Sequence, residues 1–273
     1  MRANGSRRAG VGVLLLTSVL VAGSGCAPKV RLDLPVGAGT PLADVAAAEQ
    51  AARASCQIHA AVTADLRLSG RIDGERVRGT LQIGVARDAL RLEGLAPFGA
   101  PVFILTARPG EAVLLLPRDT AVAHGTSAAE LLDAVVGVSL DPADLLAIVS
   151  GCGVATWTVT GGATFGDAWT RLDLDGGRTL WLRTAAGGTP VLMAAQDARW
   201  RIEYTRTDAG WPSAIRLRPA AGTAVGRTDA VLALEGPEAM AALPEGALDV
   251  AIPSEARALT LADLRRSRGL TER

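Results

Sequence analysis

The chain has 273 residues, a formal net charge of zero, 49% hydrophobic residues and only 3% aromatic ones. Its cations are nearly all arginines, with Lys29 the single lysine, and they stand one at a time along the chain. That distribution excludes the basic patch or run a nucleic-acid footprint needs.

The first segment, residues 1–25, has the three parts of an export signal. Arg2, Arg7 and Arg8 form a positive start, Val11 to Ala22 an apolar core, and Gly23, Ser24 and Gly25 lead to Cys26. The apolar core is about half the ~20 residues a membrane-spanning helix requires. The segment resembles the lipobox of bacterial lipoproteins, with Gly23 where that pattern usually has an aliphatic residue. An ordinary secretory signal ending near a cysteine is the alternative. The resemblance implies a diacylglyceryl group on the Cys26 sulfur and a mature protein tethered outside the cytoplasm. In a cell with two membranes the sorting rule of such lipoproteins, by which an Asp after the cysteine favours inner-membrane retention, implies with Ala27 the outer membrane, facing the periplasm.

Roughly 247 residues follow the signal, enough for one large or two small domains, and one is favoured. Residues 26–40 are rich in Pro and Gly without periodicity and form a tether. Over 41–57, Leu42, Val45, Ala52 and Cys56 recur at helical spacing in an alanine-rich run, which predicts an N-terminal helix. Strands follow. Leu66, Leu68 and Ile72 alternate with Arg67, Ser69 and Arg71; Leu81, Ile83 and Val85 repeat the pattern, as do Leu90 and Leu92 against Arg91 and Glu93. The Asp-Gly step in RIDGER makes the first two a hairpin. PVFILTAR and AVLLLPRD, joined at Pro109 and Gly110, are apolar on both faces, so a further segment must cover them.

The expected cover is a pair of short helices. Ser127 and Glu130 form a capping box for a helix through Leu131, Leu132, Val135 and Val136 to Gly137. Asp141, Pro142 and Asp144 open a second helix carrying Leu145, Leu146, Ile148 and Val149 to Gly151. Alternating strands resume in TWTVTG, TRLDLDGG, RTLWLRT, ARWRIEYTR, SAIRLRPA and DAVLALEG. The fold expected is mainly β: an antiparallel half-open β-barrel of about ten to eleven strands, with an N-terminal helix and two short lid helices, over residues 41–240. An outer-membrane barrel is excluded because arginines on nearly every strand would face lipid. Residues 241–273 read as a C-terminal extension packed along the body, with one amphipathic stretch from Leu261 to Arg266.

Chemistry-bearing patterns are few. His59 and His124 are not at ligand spacing from each other or from a cysteine, so no metal site is expected. There is no nucleophile elbow, no Walker loop and no glycine fingerprint opening a helix. Asp173 and Asp175 alternate with Leu172 and Leu174 and read as a solvated strand face running into a turn. Neither an enzyme nor a cofactor is indicated. Cys56 and Cys152 are a plausible disulfide in an oxidising compartment, and two buried thiols fit equally well.

One loop stands out. In LEGLAPFGAPVF, Pro97, Phe98 and Gly99 occupy a hairpin tip, where Phe98 either projects into solvent or folds back on the sheet. After this tip come Ala-x-Pro-Gly (Ala107 to Gly110), a helix ending in Val136 and Gly137, and a helix with Leu140, Leu145 and Gly151. ARWRIEYTR and WPSAIRLR complete the order. From about residue 50 to 235 this order resembles the LolB family, outer-membrane lipoproteins that receive lipoproteins from the soluble carrier LolA. The departures are Phe98, where the family typically has Leu, the chain beyond residue 240, and the Cys56/Cys152 pair.

The resemblance implies a half-barrel enclosing an apolar cavity for acyl chains, and a membrane-insertion loop at Pro97, Phe98 and Gly99. The function expected is a membrane-anchored receptor or chaperone that binds the acyl chains of client lipoproteins and inserts them into the outer membrane. Its partners would be client lipoproteins or lipid acyl chains, a soluble LolA-like carrier, and the membrane through Cys26, with the chain itself a monomer. A lipid- or glycolipid-binding envelope-assembly lipoprotein on the same scaffold is the alternative. Candidate cavity residues are Leu90, Leu92, Trp200 and Ile202 on alternating strands, Ile104, Leu114 and Leu116 on the doubly apolar ones, and Leu132, Val136, Leu145 and Ile148 on the lid. Ordinary core is the competing role for most of them.

Overall fold

A computed structural model describes residues 32–72, 74–136, 138–184, 188–206, 210–220 and 228–267. Residues 34–273 form one compact unit. Period-two alternation becomes a meander of six antiparallel strands: β2 (Ala61–Ile72), β3 (Glu75–Ala86), β4 (Leu90–Leu95), β5 (Pro101–Arg108), β6 (Glu111–Leu116) and β7 (Ala121–Gly125), the first strand β1 being the two-residue Thr40–Pro41. A second meander runs through β8 (Val159–Phe165), β9 (Trp169–Leu174), β10 (Thr179–Arg183), β11 (Val191–Gln196), β12 (Trp200–Thr205), β13 (Ala214–Pro219) and β14 (Asp229–Met240). Antiparallel pairing of β14 with β2 joins them into one sheet. Its edges are β1, on β8, and β15 (Arg257–Leu259), which runs parallel to β7. The sheet has fifteen strands and does not close into a barrel.

Helices occupy one face, the inner one. Helix α1 (Val45–Ala54) starts where the Asp44 carboxylate accepts the Ala47 N–H at 2.9 Å. Its Ala52 packs on Leu172, Leu180 and Leu192 of the second meander. Helix α2 (Ala128–Val136) is capped by the Ser127 hydroxyl, which accepts the Glu130 N–H at 3.2 Å, while Glu130 reaches one residue further back and accepts from Thr126. Helix α3 (Pro142–Val149) starts at Asp141, whose side chain makes no capping bond, and stops where Gly151 takes a positive φ of 76°. Leu131 and Ala134 of α2 and Leu146 and Val149 of α3 bury against Val62, Leu66, Val85, Leu90, Leu105 and Leu114.

The structure departs from the sequence expectation in three places. Four strands beyond the expected ten to eleven are present: β1, β7, β11 and β15. The strand expected at TWTVTG lies further on, over Val159–Phe165, and Trp157 packs instead beneath the Arg53 guanidinium, 4.8 Å from its ring. The third concerns β5 and β6. Their second apolar face is covered by the C-terminal segment and not by the helices, since Val113, Leu115, Val122 and Ile104 pack with Val250 and Ala256. Arg91 holds that segment by donating to the carbonyls of Ala247 at 2.9 Å and Asp249 at 3.2 Å. Helix α4 (Leu261–Ser267) then returns to the inner face and buries Leu264 beside α2.

Cys56, just after α1, and Cys152, just after α3, are joined by a disulfide with Cα atoms 5.2 Å apart. Arg206 braces the same junction, donating to the carbonyls of Ser55 at 3.2 Å and Gly151 at 2.7 Å.

Ending the chain after Met240 would strip apolar cover from Val113, Leu115 and Val122 and remove buried Leu264. Burial of one large aliphatic side chain is worth about 1.5–3 kcal/mol, so urea denaturation of that truncation should show a loss of several kcal/mol. An unchanged midpoint would mean that the segment contributes nothing to the fold.

Candidate functional site

Burial along the inner face is graded. At one end of β2 to β6 the inward side chains Val62, Ala64, Val85, Leu90, Ala107 and Ala112 are buried. Further along the same strands the inward positions Leu68, Leu81, Leu92 and Phe103 are only half-buried. Register places these together: Leu81 faces Leu66 and Gly94, and Gly94 faces Phe103. Leu132 of α2 and Leu145 of α3 are likewise half-buried and pack against the same core. The arrangement is an apolar sheet face whose helical cover stops part-way along the strands, a surface suited to a flexible hydrocarbon chain.

The β4–β5 hairpin turns at this same end. The Gly99 N–H donates to the Ala96 carbonyl and the Ala96 N–H to the Ala100 carbonyl, each at 2.8 Å, with Gly99 at a φ of 82°. That is a three-residue loop closed by a left-handed residue, and Pro97 stiffens its first position. Phe98 at the tip is fully exposed. None of the described residues covers its ring.

The residues singled out from sequence separate into groups. Leu92, Leu132 and Leu145 lie on the half-buried face, and Leu116 flanks its core. Leu90 and Leu114 are packed core. Ile148 is buried with Tyr204 and Ile215, with half-buried Ile202 against them, and Trp200 is buried. Ile104 is a correction: it faces Leu115 across the ladder and points to the outer side, where the C-terminal segment covers it. A strand apolar on both faces gave no parity to decide its direction. Cys26, Gly137 and the Val136 side chain lie outside the described residues. Leu68, Leu81 and Phe103 went unassigned, although alternation on β2 and β3 placed the first two on the inward face.

Polar groups converge on no reactive centre among the described residues. Asp173 holds Arg171 at 2.7 Å and Asp175 holds Arg178 at 2.7 Å, so the two carboxylates do not act together. His59 stacks on Trp211, 4.8 Å between ring centres. Burial pushes the Tyr204 hydroxyl well above its ordinary range. Burial, and then the neighbouring Asp141, raises the Asp144 carboxyl on α3. A recess of about 470 Å³ lies on the outer face beneath Leu243 and Pro244, lined by Asp65, Gln82, Arg91 and Glu93, whose charge does not suit an acyl chain.

No protein-family model matches the sequence and no curated protein matches it. Among solved structures the chain is similar to a LolA superfamily protein from Nitrosomonas europaea, with a TM-score of 0.49 and 10% identity over 74% of this chain and 97% of that one. It is also similar to a DUF1329 family protein from Desulfovibrio piger (TM-score 0.47, 10% identity, 74% and 96% covered). A third is a domain named for outer membrane lipoprotein sorting, from Vibrio parahaemolyticus (TM-score 0.42, 9% identity, 75% and 95% covered). Likenesses at these scores say nothing of what this chain binds.

Gly94 lies directly beneath the Phe103 ring, which a Cβ at that position would strike. Gly94→Ala should therefore displace the ring and cost about 1–3 kcal/mol, the range for overpacking, measurable as a lowered urea midpoint. An unaltered midpoint would show that Phe103 is not held against this strand.

Proposed function

We propose that this protein is a lipid-anchored receptor of the bacterial outer membrane, facing the periplasm, that takes up the acyl chains of client lipoproteins and delivers them to the bilayer. One observation carries the reading: the fully exposed Phe98, on a stiff three-residue turn, stands at the end of the sheet where the inner face opens. Cys26 would carry the anchor, and a soluble LolA-like carrier would deliver clients.

The physical demand is simple. Each methylene transferred out of water is worth about 0.8 kcal/mol, so an acylated client needs an apolar surface to cross an aqueous gap. Leu68, Leu81, Leu92 and Phe103, with Leu132 and Leu145, supply one without covalent chemistry. Delivery requires the apolar surface to meet hydrocarbon, and Phe98, which burial in lipid favours by about 1.5–3 kcal/mol, is placed to bring that rim to the membrane. Direction comes from the difference in affinity between receptor and bilayer.

Phe98→Glu touches no core contact and should leave the thermal midpoint and the binding of a fluorescent fatty acid unchanged. Insertion of an acylated client into vesicles should fall at least tenfold, while Phe98→Leu retains it. Insertion by Phe98→Glu at the normal rate would contradict the reading. Glycolipid co-purifying in mild detergent, with no acylated protein, would replace the client with the alternative ligand.

A further inference from the structure

Most arginines on this sheet have a carboxylate. Arg67 holds Glu235 at 2.8 Å, Arg108 holds Glu111 at 3.2 Å, Arg171 holds Asp173, Arg216 holds Asp229 at 2.6 Å and Arg218 holds Glu203 at 2.9 Å. The tip of the β2–β3 hairpin departs from this. Arg71 faces Arg76 directly across the ladder and Ser69 faces Arg78, so these three guanidinium groups join that of Arg67 on the outer face of one hairpin. Arg71 donates to the Gly74 carbonyl at 2.7 Å and faces Asp229 on its other side. Arg76 and Arg78 are exposed, and among the described residues neither has a carboxylate within ion-pair distance. Glu75 pairs with Ile72 and so belongs to the opposite face. Like charges placed directly opposite destabilise a ladder, and among the described residues no carboxylate ion-pairs with Arg71 or Arg76.

These arginines lie on the strand paired with the one that leads into the Phe98 loop. Thr80 faces Leu95, the last residue of β4, and Arg78 stands two residues beyond Thr80 on the same side of the sheet, where β3 runs on past the start of that loop. An exposed apolar tip on one hairpin, beside a strand whose exposed arginines have no carboxylate partner among the described residues, matches the layered chemistry of a membrane interface, with hydrocarbon for the ring and phosphates for the cations. We infer that the arginine-bearing outer face of β3 and the β4–β5 hairpin tip together form a docking surface for an anionic bilayer, with Arg76 and Arg78 binding lipid headgroups while Phe98 enters the acyl layer. The inference rests on the proposed function for its purpose, but its geometry is independent of the inner face.

The test uses the chain from Ala27 onward, which retains the whole compact unit of 34–273 and lacks the lipid anchor. Partitioning is measured onto vesicles of phosphatidylcholine alone and of phosphatidylcholine with 30% (about one lipid in three) phosphatidylglycerol. The chain should prefer the anionic vesicles. Each arginine near such a surface contributes about fivefold in affinity, so Arg76→Gln with Arg78→Gln should lose roughly 25-fold there and change little on neutral vesicles. Raising salt to about 0.5 M should bring the unmodified chain close to the variant. Phe98→Glu should weaken binding to both compositions. Equal binding of the arginine variant and the unmodified chain to anionic vesicles overturns the inference, as does indifference of the unmodified chain to lipid charge. Binding of a fluorescent fatty acid without vesicles should be the same in the arginine variant. If the unmodified chain binds no fatty acid yet still prefers anionic vesicles, the receptor reading fails and the docking surface stands.

Discussion

A sheet this long has more apolar face than its short helices can cover. Twelve-residue strands such as β2 and β3 extend about 40 Å at ~3.3 Å per residue, whereas α2 and α3, with nine and eight residues, span about 12–14 Å. Where the helices lie, Leu131, Ala134, Leu146 and Val149 fill the space and the inner face becomes ordinary core. Where they stop, Leu68, Leu81, Leu92 and Phe103 stay half-buried. The open apolar end and everything proposed for it follow from this mismatch in length. The disulfide and Arg206 hold the C-terminal ends of α1 and α3 together, which keeps the cover over the closed end.

The C-terminal segment solves a different problem of the same sheet. Because β5 and β6 are apolar on both faces, one side must be shielded from water by something other than the helices. Val250 and Ala256 supply that shield, Arg91 pins their segment, and β15 occupies the edge of β7 that would otherwise be open for pairing. At the other edge β1 pairs with β8.

Much of this was legible because period-two alternation is a direct record of one-sided burial. Arg67 against Leu66 and Leu68, or Arg201 against Trp200 and Ile202, place both strand and face. Where alternation fails, so does the reading. AVAHG and VLMAAQ, which form β7 and β11, are runs of small or apolar residues without a polar phase, and Thr40–Pro41 and Arg257–Leu259 are strands only because an edge is available to pair with. Ile104 was misplaced for the same reason, and the cover of β5 and β6 was assigned to the nearest helices because Val250 and Ala256 sit in a stretch with no periodicity. For Phe98 the composition of the tip allows either direction, and its full exposure in the structure decides between them.

The proposed function turns on an acyl chain lying on the half-buried part of the inner face. The most direct measurement is photo-crosslinking with a fatty acid that carries a diazirine along its chain, followed by mass-spectrometric location of the adducts. The account predicts adducts concentrated on Leu68, Leu81, Leu92, Phe103, Leu132 and Leu145 and competed away by unlabelled palmitate. Adducts spread over the outer face, or gathered in the polar recess beneath Leu243 and Pro244, would contradict it.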